Sequence, residues 1–139
     1  MDEIFDLSKA IWAVQSRANA KDQSEISETE FLALDFVIKA DEPHTVGDIQ
    51  RHIGVLPAQM SRVIRSLETK GENGLIKCSI NAEDKRKIDV EATPAGLEAH
   101  ASYREMKLGS IRKMLEILSA EDREEFVRIL RKIGEMLPK

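Results

Sequence analysis

Residues 45–69 read TVGDIQRHIGVLPAQMSRVIRSLET, and this stretch decides the fold. Thr45-Val46-Gly47-Asp48 is a capping signal, in which a threonine oxygen accepts from a backbone N–H three residues on and the acid there returns the bond. It opens a short helix with Ile49 and Ile53 inward. Gly54 is its stop, because a helix closes through a left-handed residue with least strain where there is no Cβ. Pro57 then suits a first helical position, where a missing N–H is no loss. Met60, Ile64 and Leu67 follow at i, i+4 and i+7 with Val63 beside them, predicting a second helix that runs to about Lys70-Gly71. Two helices across a tight turn make a helix-turn-helix.

A rotation of about 100° per residue puts Ala58, Arg62, Arg65 and Thr69 opposite that apolar row, with Gln59, Ser61 and Ser66 at its margins. Such a face suits a major groove. Arginine grips guanine with two donors, glutamine matches adenine, and serine or an alanine methyl approaches base edges without blocking. The bland reading is a solvated helix face; the turn before it, the hairpin after it and the local charge all argue for the groove.

Working outward, residues 75–80 and 87–91 read as two short strands around the polar loop 81–86, a hairpin placed where a wing would be. Its tip, Asp84-Lys85-Arg86-Lys87, offers three cations within reach of a minor groove, where the potential is negative. Asp84 itself repels phosphate. It is expected to orient Arg86 or a recognition-helix arginine through a charge-assisted hydrogen bond.

The flanks are helical. Ile4, Leu7, Ile11, Val14 and Ala18 step by three and four along the first segment, with Phe5 and Trp12 on a neighbouring line. Ser27-Glu28-Thr29-Glu30 is a capping box ahead of Phe31, Leu34, Val37 and Ile38, and Asp41-Glu42-Pro43-His44 ends that helix. Thr93-Pro94 opens a long helix in which Leu97, Ala101, Leu108, Ile111, Leu115 and Leu118 keep heptad-like spacing. Ser119-Ala120-Glu121-Asp122 restarts the chain for a last helix carrying Phe126, Ile129, Leu130, Ile133 and Leu137. Three long amphipathic helices exceed what one such domain needs. The same helices of a second copy would bury them, and a two-fold dimer is the commonest closed arrangement.

The chain has 139 residues, of which 42% are hydrophobic and 33% charged, the profile of one soluble globular domain. No apolar run nears the roughly 18 residues that cross a bilayer. The start Met1-Asp2-Glu3-Ile4-Phe5-Asp6 is acidic where a secretory signal is basic, and the single Cys78 excludes an intrachain disulfide, so a cytoplasmic protein without membrane contact is expected. Net charge is −4, yet eight of the 21 basic residues and only four of the 25 acids fall between Arg51 and Lys87. The cations cluster on the segment that carries the wing and the helix-turn-helix.

Thr45-Val46-Gly47-Asp48-Ile49, Gly54-Val55, Met60-Ser61-Arg62, Leu67-Glu68, Gly74-Leu75-Ile76, Asp84-Lys85-Arg86, Val90 and Thr93-Pro94-Ala95-Gly96 together resemble the MarR family of transcription regulators, over nearly the whole chain. The resemblance implies a mainly α winged helix-turn-helix with a small β-hairpin wing. It implies a homodimer that binds a palindromic double-stranded DNA operator and usually represses. As one MarR-like domain, residues 28–93 would form the winged lobe, and 1–25 and 94–139 the dimerisation helices. Ser61 and Arg62 match the family's recognition-helix pair and Arg86 its minor-groove arginine; with Ala58, Gln59, Arg65, Ser66, Lys85 and Lys87 they form the expected DNA-binding set. Many members release DNA when a small phenolic or aromatic ligand binds, and Trp12, Arg17, His44 and His100 would line such a cleft. Some sense peroxide through a first-helix cysteine, which is lacking here; Cys78 sits in a strand and reads as structural. Three departures stand out. Leu56 replaces a polar N-cap, leaving helix N–H groups for phosphate or water; Glu72-Asn73-Gly74 resembles an insertion before the first wing strand; Ala92 replaces a usual leucine.

The alternative is a winged-helix module that binds protein and not DNA. An enzyme is excluded by the lack of a nucleophile with its base, of a glycine-rich phosphate loop and of spaced paired carboxylates. His44, His52, His100 and Cys78 have no zinc-type spacing, so no metal and no cofactor is expected.

Overall fold

A computed structural model describes residues 1–21 and 25–138, without the side chains of 15, 16 and 18–21, so Ala18, expected on the apolar line of the first segment, lies outside the described side chains. The elements are α1 (Asp2–Lys21), α2 (Glu28–Lys39), β1 (His44–Thr45), α3 (Val46–Ile53), α4 (Pro57–Thr69), β2 (Ile76–Ile80), β3 (Ile88–Ala92), α5 (Pro94–Glu116) and α6 (Ala120–Met136). The expected fold class holds: a mainly α chain with a small antiparallel wing. Two compact units divide it, Met1–Ala99 and His100–Lys139.

Within the first unit the helix starts are set by hydroxyl caps. Ser27 and Glu30 close a reciprocal box at α2, and Thr45 and Asp48 do the same at α3. Gly54 ends α3 in the left-handed region at φ 71°, returning its N–H to Gln50 O. The strands form one sheet in the order β1-β3-β2, antiparallel throughout, with Cys78 opposite Val90 and Ile80 opposite Ile88. β1 is a departure from the expected two-stranded hairpin. His44 and Thr45 pair with Val90 and Asp89, closing the other edge of β3.

The core joins these pieces. Leu34, Ile49, Met60, Leu67, Leu75 and Val90, drawn from three helices, β3 and the residue before β2, are all under 2% exposed. Each contributes about 1.5–3 kcal/mol relative to an exposed position. A backbone joint lies beside them. Leu75 N–H donates to Leu67 O (2.7 Å), the last turn of α4, and Leu75 O accepts from Thr93 N–H (3.0 Å), the residue before α5. The Thr93 hydroxyl donates to Gly74 O (2.8 Å) and accepts from Gly96 N–H (3.1 Å). This requires two glycines. Gly74 lies at φ 77°, and a Cβ on Gly96 would overlap the carbonyl oxygen of Leu75.

Other apolar surface is left in water. On α1, Ile4, Leu7, Ile11 and Val14 are all more than half exposed. In the second unit, α6 starts on a Ser119 cap, and its Phe126, Ile129, Leu130 and Ile133 are likewise exposed. No helix among the described residues is long and apolar enough to cross a membrane.

Candidate nucleic-acid interface

α4 has two unlike faces. Met60, Val63, Ile64 and Leu67 are buried, while Ala58, Gln59, Ser61, Arg62, Arg65 and Thr69 face solvent. Arg62 and Arg65 have no carboxylate partner among the described residues, so their donors are open. The serines of the expected set are partly engaged: the Ser61 hydroxyl donates to Pro57 O (3.1 Å), and Ser66 is half-buried with its hydroxyl donating to Glu30 Oε2 (3.1 Å). Ser66 therefore faces inward enough to tie α4 down.

That tie is a polar clamp which sequence reasoning missed. Glu30 accepts from Ser27 N–H (3.2 Å), from the Ser66 hydroxyl and from Lys70 Nζ, which lies 3.0 Å from Oε2. Lys70 also donates to Glu25 O. One carboxylate thus caps α2 and pins the C-terminal end of α4. The capping box marked Glu30, but nothing local marks a partner 40 residues away.

Burial alone would push the Glu30 carboxyl up; Lys70 and the Ser27 N–H and hydroxyl outweigh it and hold the group below its usual 4.5. A depressed value stabilises the fold above the unfolded pKa and is lost as pH falls through the folded one. Glu30→Gln is therefore expected to cost about 1–3 kcal/mol at neutral pH. Denaturant titrations should show this gap to the native chain closing below about pH 4. A gap that stays constant down to pH 3 would mean the charge is irrelevant.

The wing tip is held as firmly. Asn81 Oδ1 accepts from the N–H groups of Glu83 and Asp84 (both 2.9 Å), and its amide donates to Asp89 (2.9 Å). Asp84 then receives the Arg86 backbone N–H (3.0 Å), its Nε (3.2 Å) and its Nη2 (3.3 Å). The Arg86 side chain and backbone N–H hold the Asp84 carboxyl below its usual range. Of the two partners considered for Asp84, Arg86 is the one it takes, although that side chain remains 91% exposed. Lys85 and Lys87 beside it are exposed as well.

The expected ligand-cleft residues come from three elements, α1, β1 and α5. Trp12 is 69% exposed on α1, and Arg17 is exposed on the same helix. His44 lies against the Phe36 ring (4.7 Å between centroids), which also stacks on His52 (4.2 Å), and its Nδ1 is 3.5 Å from Asp48. His100 belongs to the second unit and is half-exposed. Two open clefts, of about 200 and 330 Å³, flank Pro43 and are lined by none of these four residues. Burial, with the nearby Glu68 charge and hydrogen bond, pushes the Cys78 thiol up to about 11, so it is protonated at neutral pH. No group of three metal-ligating side chains occurs among the described residues.

Residues 26–88 match the model of the MarR family. No curated protein matches the sequence. Among solved structures the chain is similar to the YusO protein of Bacillus subtilis (19% identity, TM-score 0.78, covering 98% of this chain and 94% of that one). It is similar to the MepR protein of S. aureus in a complex with DNA (20%, TM-score 0.71, 96% of each chain). A third is the PcaV transcriptional regulator of Streptomyces coelicolor with its natural ligand (16%, TM-score 0.66, 94% and 90%). At these identities the likeness establishes a common fold.

Proposed function

We propose that this protein, whose residues 26–88 match the model of the MarR family, binds a double-stranded DNA operator as a homodimer and represses transcription by occupying it. One observation carries the reading: the open arginines of α4 share a lobe with a wing whose arginine is already oriented by Asp84. α4 enters the major groove, with Ala58, Gln59, Ser61, Arg62 and Arg65 toward the base edges. Arg86, flanked by Lys85 and Lys87, enters the adjacent minor groove. Ser66 contributes by holding α4 and not by reading bases.

The exposed stripes of α1 and α6 support the second copy, since the described chain leaves them uncovered. In this arrangement residues 1–25 and 94–139 pair two lobes of residues 28–93 on half-sites about one helical turn apart. Release by a small aromatic acid is the mode of control we infer, supported by PcaV, whose structure holds its natural ligand.

Selecting duplexes from a random pool and titrating them by fluorescence anisotropy tests the reading. Six to ten phosphate contacts would cost about 10³–10⁵ in affinity between 50 and 200 mM salt. Arg62→Ala is expected to lose about 1–3 kcal/mol and to relax base choice at one position, whereas Lys85→Ala should weaken every duplex alike and lower the salt slope by about one. A pool that yields no bound duplex, or binding with no salt slope, would favour a protein-interaction module.

A further inference from the structure

α2, α3, α5 and α6 begin at Ser27, Thr45, Thr93 and Ser119, whose hydroxyl oxygens accept from the backbone N–H groups of Glu30, Asp48, Gly96 and Asp122. α4 begins at Leu56, which makes no side-chain cap. Leucine forgoes the stabilisation a polar cap supplies, and here it also stands 74% exposed, more than any other large apolar side chain in residues 26–99. Pro57 and Ala58 follow it, both exposed, so three apolar residues form the leading tip of the helix. In the isolated chain this arrangement is doubly unfavourable: a cap is lost and apolar surface is wetted. Burial of the tip against DNA would offset both costs.

The first residues of a recognition helix are the ones that meet base edges. Along the major groove each base presents a hydrogen-bond donor or acceptor, and thymine alone adds a methyl group, at C5. An isobutyl side chain set against an amino or keto group would leave that group unpaired; set against the methyl, it removes apolar surface from water on both sides. Resting on the DNA-binding reading above, we propose that Leu56 is a specificity-determining residue that reads a thymine methyl group in each half-site, with the Ala58 methyl beside it.

Replacing thymine by uracil removes that methyl and nothing else. On a duplex selected from the random pool, with each thymine exchanged singly, one position per half-site is expected to weaken binding of the native protein by about 3- to 10-fold. The Leu56→Ser variant should bind thymine and uracil duplexes alike at that position. Its unfolding midpoint should rise, because serine restores the cap. A purely structural role for Leu56 would not move these two readouts in opposite directions. Equal binding of the native protein to thymine and uracil at every position overturns the proposal, as does discrimination that survives in Leu56→Ser. If the pool yields no bound duplex at all, the DNA-binding reading fails, and the inference falls with it.

Discussion

Gly96→Ala is expected to lower the unfolding midpoint by about 10 °C, corresponding to a loss of about 3 kcal/mol. Position 96 is helical, and in a helix interior alanine is normally better than glycine by about 1 kcal/mol. The sign is reversed by contact. A Cβ there would overlap the Leu75 carbonyl oxygen and meet Leu34 Cδ2 at 3.5 Å. Relieving the overlap means withdrawing the start of α5 from Leu75, which breaks the bonds from Thr93 N–H to Leu75 O and from the Thr93 hydroxyl to Gly74 O. Gly109 is the control on the same helix, since nothing lies within 4 Å of its added Cβ. Gly109→Ala should stabilise by about 0.5–1 kcal/mol. Thermal scans of the two variants decide the matter; a Gly96→Ala chain as stable as the native one would show that the close approach relaxes at no cost.

The second large effect belongs to the apolar stripes. Ile129→Glu combined with Ile133→Glu places two charges on the uncovered face of α6, where in the isolated chain both residues are about half exposed. The folded subunit should lose little. An interface built on that face cannot accommodate two unpaired carboxylates, so sedimentation should report a single 15.7 kDa subunit in place of twice that mass. Operator affinity should then fall by about 10²–10⁴, the advantage that linking two half-site contacts confers. A variant that stays dimeric would move the interface elsewhere, and one that is monomeric yet binds with native affinity would separate dimerisation from DNA binding.

Most of the architecture was legible because it is announced locally. Ser27, Thr45, Thr93 and Ser119 mark four helix starts by chemistry confined to three residues, and Gly54 and Pro57 bracket the turn between α3 and α4. The wing strands came out within one residue of the expected bounds, shifted because Leu75 is spent on the joint and Ala92 still pairs with Ile76. β1 was hidden: two residues carry no period, and Thr45 already read as a helix cap. Glu72-Asn73-Gly74, seen as an insertion, turns out to be a tight turn whose Gly74 carbonyl receives the Thr93 hydroxyl. Long-range polar bonds were the other blind spot. Ser66 has the composition of a groove contact, and only the fold reveals Glu30 opposite it.

The peptide groups on either side of Leu75 have a mechanical meaning. One bond from this residue secures the tail of α4 and another secures the root of α5, with no intervening loop. Leu75 is thus a rivet between the tail of α4 and the root of α5: on the DNA-binding reading proposed above, a tilt of that root would pass to α4 through a single residue, and the pitch at which α4 meets a groove would be set from there.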